Sequence, residues 1–452
     1  MNNKAHIFAV ALSSLVVACV EPFDVASEIR SDTSLFGALV VEANITDIEG
    51  TQRIFLSRMQ RVISDSTVNV EEERLFNVNA PIIIPRGLGP EFESNATVEI
   101  RAGNGAVYGF EETEDGTYES LVSFAAMPNV SYQLFVSTSN GEEYVSDAVV
   151  LPRTSTIENL YAERMVSDSG LEGVGIFVDS NFPSDSDKLF RFAYEETYKI
   201  IAPYWTPFEF EIIRDETEFI FDDDGNVQEI LYPDVRLVPR AREEQVCYRT
   251  DLSAGEVLLN ANRFNGNRAE RTMVRFIGVD NPIISHRYSI LVKQRGVSRQ
   301  AFDFYERLVA FSQSESLFSQ VQPGSLEGNV YSANGDTEVI GFFEVSTAVS
   351  QRLYFNFEDL FPDEPLPPYF GDINCENSVA PILGNPERDG PPPPFGGCAR
   401  PLIEGVQLGL VEYYEANSNP PGECEGPYLV VPTICGDCNV VGSNVKPDFW
   451  VD

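Results

Sequence analysis

The sequence predicts a mainly β protein: an N-terminal Ig-like β-sandwich, then a second β-rich domain with one prominent α-helix and a proline-rich, disulfide-bonded loop region. Three observations predict it. Short apolar runs with period-two alternation recur along the chain, separated by Asn-Gly and Asp-Gly turns. One stretch alone, after Ser298, keeps a helical period. Beyond Cys19, six cysteines remain, an even set of the kind that forms disulfides in an exported chain.

The chain opens with Lys4 and an apolar run from Ile7 to Ala18. A membrane-spanning helix needs roughly 20 apolar residues, so this shorter run reads as a signal peptide, residues 1–18. Leu15-Val16-Val17-Ala18-Cys19 resembles a bacterial lipobox, with Leu one place earlier than the usual pattern. The expectation is cleavage before Cys19 and acylation of its thiol. Burial of about 0.8 kcal/mol per methylene then makes a multiply acylated cysteine a stable anchor. Glu21 and Asp24 follow, an acidic start like that of surface-exported Bacteroidota lipoproteins. Residues 19–36 are polar and read as a lipidated tether.

The sandwich is expected over residues 37–152. Leu39-Val40-Val41 and Ile54-Phe55-Leu56 flank the turn residues 47–50. Thr97 to Arg101 alternates apolar and polar, and Asn104-Gly105, Asp115-Gly116 and Asn140-Gly141 mark hairpin turns. Residues 153–452 continue with longer strands: Val174–Val178, Phe190–Tyr194, Phe219–Phe221 turning through Asp224-Gly225-Asn226 into Ile230–Tyr232, and Tyr288–Val292. Ser298 suits a helix N-cap, because its hydroxyl can accept from free backbone amides. Ala301, Phe302, Tyr305, Leu308 and Val309 then share one face, which predicts a helix over 299–313. Residues 362–398 carry prolines throughout, including the run Pro391–Pro394. Proline donates no ladder hydrogen bond, so this is an irregular excursion.

Aromatic residues make up 11% of the chain, ample for packed cores and contrary to disorder. The net charge is −39, and loss of Lys4 with the signal leaves the mature chain at −40. Nucleic-acid backbones and anionic lipid surfaces are therefore poor partners. The acid excess, with five lysines, fits solubility in a saline habitat.

Sites for chemistry are sparse. The mature chain holds one histidine, His286, beside Arg287 at a strand edge, read as structural. Glu195-Glu196 is a carboxylate pair, and glycoside hydrolysis would need two acids on facing surfaces. Asp222, Asp224 and Asn226 resemble part of a calcium loop, but strands flank them, so a solvated hairpin turn is preferred. Cys435-Gly-Asp-Cys438 could be half a zinc site or a redox pair. Zinc takes about four ligands and the other candidates are scattered, so disulfides are expected among Cys247, Cys375, Cys398, Cys424, Cys435 and Cys438. Tyr198, Tyr204, Trp205 and Phe208 form an aromatic cluster that could face a partner or a sugar, or pack internally. Trp450 is expected to pin the C-terminus. No cofactor is implied.

Taken together, several stretches resemble the Bacteroidota outer-membrane lipoproteins catalogued as domain of unknown function 4249. They are Cys19–Phe23, Leu39–Glu42, Cys247–Thr250, Arg287–Gln294, Ser298–Glu306, Leu317-Phe318, Gln322-Pro323, Gly328-Asn329, Val339–Phe342, Cys435–Cys438 and Lys446–Trp450. The proline-rich excursion and Cys398/Cys424 depart from the family pattern. The resemblance implies a surface lipoprotein that accompanies a TonB-dependent outer-membrane transporter, with no known ligand or activity. It also implies that Cys247 and Cys375 each pair with one cysteine of Cys435/Cys438, and Cys398 with Cys424. The leading expectation is a capture, lid or accessory partner in nutrient uptake, not an enzyme. It would be lipid-anchored at the outer membrane and face outward. A stand-alone adhesin or envelope structural protein, and a surface hydrolase, are the alternatives.

Overall fold

The computed structural model describes residues 37–59, 72–77, 80–85, 91–216, 218–231, 233–253, 255–264, 266–313, 328–335, 337–370, 373–380, 402–418 and 426–452. The signal peptide, Cys19, the tether, Cys398, Cys424 and most of the proline-rich excursion lie outside these residues.

The main strands are numbered here in chain order. The first region contributes β1 (Leu39–Thr46), β2 (Arg53–Arg58), β3 (Thr97–Ala102), β4 (Val107–Glu114), β5 (Thr117–Ser120), β6 (Ser131–Ser137) and β7 (Glu143–Ser146). Their alternation is real: in β6, Tyr132, Leu134 and Val136 are buried and their neighbours partly exposed. Leu39, Val41, Ile54, Leu56, Ile100 and Leu134 meet in one core. In addition, Glu72–Asn77 pairs antiparallel with Ala80–Pro85.

The second region adds β8 (Thr156–Val166), β9 (Glu172–Asn181), β10 (Leu189–Ile201), β11 (Phe208–Arg214), β12 (Glu218–Phe221), β13 (Val227–Leu231) and β14 (Asp234–Pro239). It continues through β15 (Val246–Leu252), β16 (Val257–Asn260), β17 (Arg268–Gly278), β18 (Arg287–Gly296) and helix α1 (Arg299–Gln313). β8, β9 and β17 form a three-stranded sheet. Its inner residues Val174, Ile176, Val178 and Val274 pack with Phe190, Phe192, Ile290 and Val292 of β10 and β18 in a second core. Helix α1 begins where expected, with the Ser298 hydroxyl accepting from the Ala301 N–H at 3.2 Å. Its packing face is shorter than the sequence predicts. Ala301, Phe302 and Phe304 are buried, whereas Leu308 is exposed. The deepest packing is over the first two turns, where Phe304 meets Phe342 at a ring separation of 5.3 Å.

The two regions share a strand. β19 (Val330–Ser332) pairs with β7, and β20 (Val339–Asn356) runs for 18 residues. The first part of β20, Val339–Ser346, lies parallel to β1; the rest, Thr347–Asn356, lies antiparallel to β18. One hydrogen-bonded path therefore runs β15-β10-β18-β20-β1-β2-β5-β4-β3-β6-β7-β19. The mainly β expectation holds, but the ladder does not delineate the two facing sheets of an Ig-like sandwich in the first region. Nor is that core closed at residue 152, since Val330, Phe343 and Val345 belong to it. Close backbone approach makes this splice work. Gly341 sits opposite Val41 with φ +141°, and an added Cβ would lie 2.1 Å from the Val41 carbonyl oxygen.

The C-terminal segment forms a small subdomain of helix α2 (Leu402–Gln407), β21 (Val411–Ala416), β22 (Tyr428–Pro432) and the short strand Ser378–Ala380. Disulfides Cys247–Cys438 and Cys375–Cys435 fasten the turns that follow it, so the Cys-Gly-Asp-Cys motif is divided between two bridges. Trp450 is buried with its ring 5.0 Å from that of Tyr248, next to Cys247.

Candidate functional site

A recess lies between β16 and α1. Strand alternation puts Glu256, Leu258 and Asn260 on one wall. Helical spacing puts Phe302, Glu306 and Val309 on the other. The turn Ala261–Arg263 closes one end with Asn262 and Arg263. The open cleft measures about 740 Å³.

Behind this wall is a buried charge chain. Arg191, on β10, forms ion pairs with both Glu256 and Glu344, and its guanidinium carbon lies 3.2 Å from the Tyr305 ring centroid. Glu344 is fully buried on β20, and its second oxygen accepts from the Asn44 amide of β1 at 2.6 Å. Arg295 adds a longer contact to Glu256 at 3.8 Å. Burial opposes the charge on Arg191, but Glu344, Tyr305 and Glu256 outweigh it and hold the guanidinium above its ordinary pKa. Burial and the Glu344 carboxylate raise the Tyr305 phenol. A polar relay thus runs from the cleft wall through α1 and β20 into the first sheet. The sequence reading missed it, because its members are up to 300 residues apart. One signal was present: Arg191 sits between Phe190 and Phe192 in a strand buried on both faces, where a charge requires a partner.

A second charged cluster joins the body to the C-terminal subdomain. Arg240 bridges Glu244 and Glu412, each at 2.5 Å, and Arg242 reaches Glu244 at 2.8 Å. Burial, opposed by Arg240 and reinforced by Asp437 and Glu244, pushes the Glu412 carboxyl up to about 7.

The residues singled out from the sequence scatter. Glu195 and Glu196 point to opposite faces: Glu195 pairs with Lys293, while Glu196 binds Arg275 at 3.0 Å and accepts from the Tyr288 hydroxyl at 2.7 Å. They cannot act as facing carboxylates. Tyr198 is a core residue whose hydroxyl donates to Asp251, so it leaves the aromatic cluster. Tyr204 meets Tyr414 and Phe208 meets Tyr413, at ring separations of 5.3 and 6.4 Å, while Trp205 packs half-buried on the second core. Asp222 accepts from the backbone N–H groups of Asp224 and Asn226, which makes this segment a self-capped hairpin turn. Among the described residues no group of three or more His, Cys, Asp or Glu is arranged to hold a metal. Burial and the Lys199 charge lower the His286 imidazole pKa, and this residue lies outside the cleft.

Carboxylates, amides and a guanidinium above an apolar floor can hydrogen-bond and orient a polar ligand. The described lining contains no serine, cysteine or histidine. Fold and site thus define a mainly β, disulfide-clasped protein with a polar cleft. The family model for a domain of unknown function (DUF4249) matches residues 25–352, and the chain belongs to that family. A comparison with curated proteins finds no match. No described helix is long and apolar enough to cross a membrane.

Proposed function

We propose that this is a binding protein of the outer-membrane surface, acylated at Cys19, that serves as a capture or docking partner of a TonB-dependent transporter. The cleft between β16 and α1 carries the reading: its groups are suited to holding a ligand, and the charged residues behind it connect its wall to the first sheet. The lipobox-like residues before Cys19 and the family membership support the location. Within the cleft, Glu256 is held in place by its ion pair with Arg191, and Glu306 supplies a second carboxylate to meet a ligand.

The test combines labelled palmitate with detergent pull-down from native membranes and mass spectrometry. Label is expected in the wild type and not in Cys19→Ala, with a TonB-dependent transporter among the recovered proteins. An unlabelled wild-type protein recovered without any transporter would overturn the reading.

A further inference from the structure

Between Phe208 and Pro239 the chain forms two successive two-stranded ladders. The base ladder pairs β11 with β14, and the outer ladder pairs β12 with β13. The base is packed: Phe210 meets Tyr413 and Tyr428 at ring separations of 5.8 and 5.4 Å, and Val235 joins the core of the C-terminal subdomain. The outer part has no such support among the described residues. Glu218, Phe219, Ile220 and Phe221 are all exposed, so neither face of β12 is covered. Phe219 is 52% and Phe221 58% exposed, with Val227 beside them at 49%. Among the described residues the outer ladder has two strands and two open edges. An isolated two-stranded hairpin is at best marginally stable in water, and an open apolar edge is a template for pairing.

The charge around these apolar groups selects the occupant. Residues 215–229 hold seven acids (Asp215, Glu216, Glu218, Asp222, Asp223, Asp224 and Glu229) and no base. A second copy of this chain, itself at −39, would bring like charge to like charge. An anionic lipid surface would do the same. We propose, resting on the docking function above, that the β12–β13 hairpin, residues 218–231, is a docking arm for a partner protein. That partner presents an apolar groove or strand edge rimmed by lysine and arginine. Backbone pairing along the open edges and insertion of Phe219 and Phe221 give affinity, and the acidic tip gives orientation and speed of encounter.

The test uses the full-length acylated protein in its native membrane. The photo-crosslinker p-benzoylphenylalanine replaces Phe221, and in a parallel protein it replaces Glu306 in the cleft. The Phe221 position is expected to yield one heterotypic product whose crosslinked peptide is apolar and flanked by lysine or arginine. Its yield should fall at least about fivefold when Asp222, Asp223 and Asp224 are all changed to Asn, and also at raised salt. The Phe219→Ser/Phe221→Ser variant should retain the wild-type circular dichroism, because both side chains are exposed, and yet lose the partner. Crosslinks from the Phe221 position only to lipid, to a second copy or to this chain's own segments would overturn the proposal, as would no product. A partner captured from the Glu306 position alone would overturn the arm and leave the docking function standing.

Discussion

Single side chains in this protein do their structural work through charge held out of water. Arg191 is the extreme case, but Glu412 gives the sharper measurement. Its carboxyl titrates near 7 in the folded protein against 4.5 as its ordinary value. Between those limits the folded state binds more protons than the unfolded state, so stability falls as pH rises through this window. Below about pH 4.5 both states are protonated, and above about pH 7 the cost is complete. Urea unfolding at pH 5 to 8 should show a loss on the order of 3 kcal/mol at most from this group. Glu412→Gln should flatten that slope. An unchanged slope would show that Arg240 already neutralises the carboxylate.

At the scale of elements, β20 decides how the chain closes. It has to lie against β1 where Gly341 faces Val41, and only a residue without Cβ fits that approach. Gly341→Ala should cost at least about 1–3 kcal/mol, read as a lowered thermal midpoint. Gly50→Ala, with nothing within 4 Å of the added carbon, should be close to neutral. Local elements were legible in the sequence because local rules set them. Helix α1 could be bounded from Ser298 and a 3.6-residue period, and the hairpins from their Asn-Gly and Asp-Gly turns. The end of its buried face could not, because the sheet beneath it, not the periodicity, decides that Leu308 is left exposed. Strand parity alone separates Glu195 from Glu196, so that result was open to inspection. The cleft was not: its walls come from residues 256–263 and 302–309, and the relay behind it reaches back to Asn44. The parallel splice of β1 to β20 was equally hidden, since no turn connects strands 300 residues apart in the sequence.

For the molecule as a whole, the disulfides set what must stay together. Cys247–Cys438 closes a span of 191 residues that contains α1, all of β20 and the strands of the C-terminal subdomain. Replacing both cysteines by serine should cost about 2–5 kcal/mol, seen as a lower guanidinium midpoint. Release of the C-terminal turn should also expose Trp450, which a red-shifted fluorescence would report. The strand order has a mechanical consequence too. Any pull from the residues before Gly37 meets the Gly37 and Ala38 bonds to Met59 and then β1, which starts at Leu39. It then runs along an eight-residue ladder, Leu39↔Val339 to Thr46↔Ser346, with six more pairs to β2 on the other side. Loaded lengthwise, these bonds share the force at once instead of opening one after another like a zipper. A force applied at this end is therefore braced in shear, and the load passes through β20 into both halves of the body.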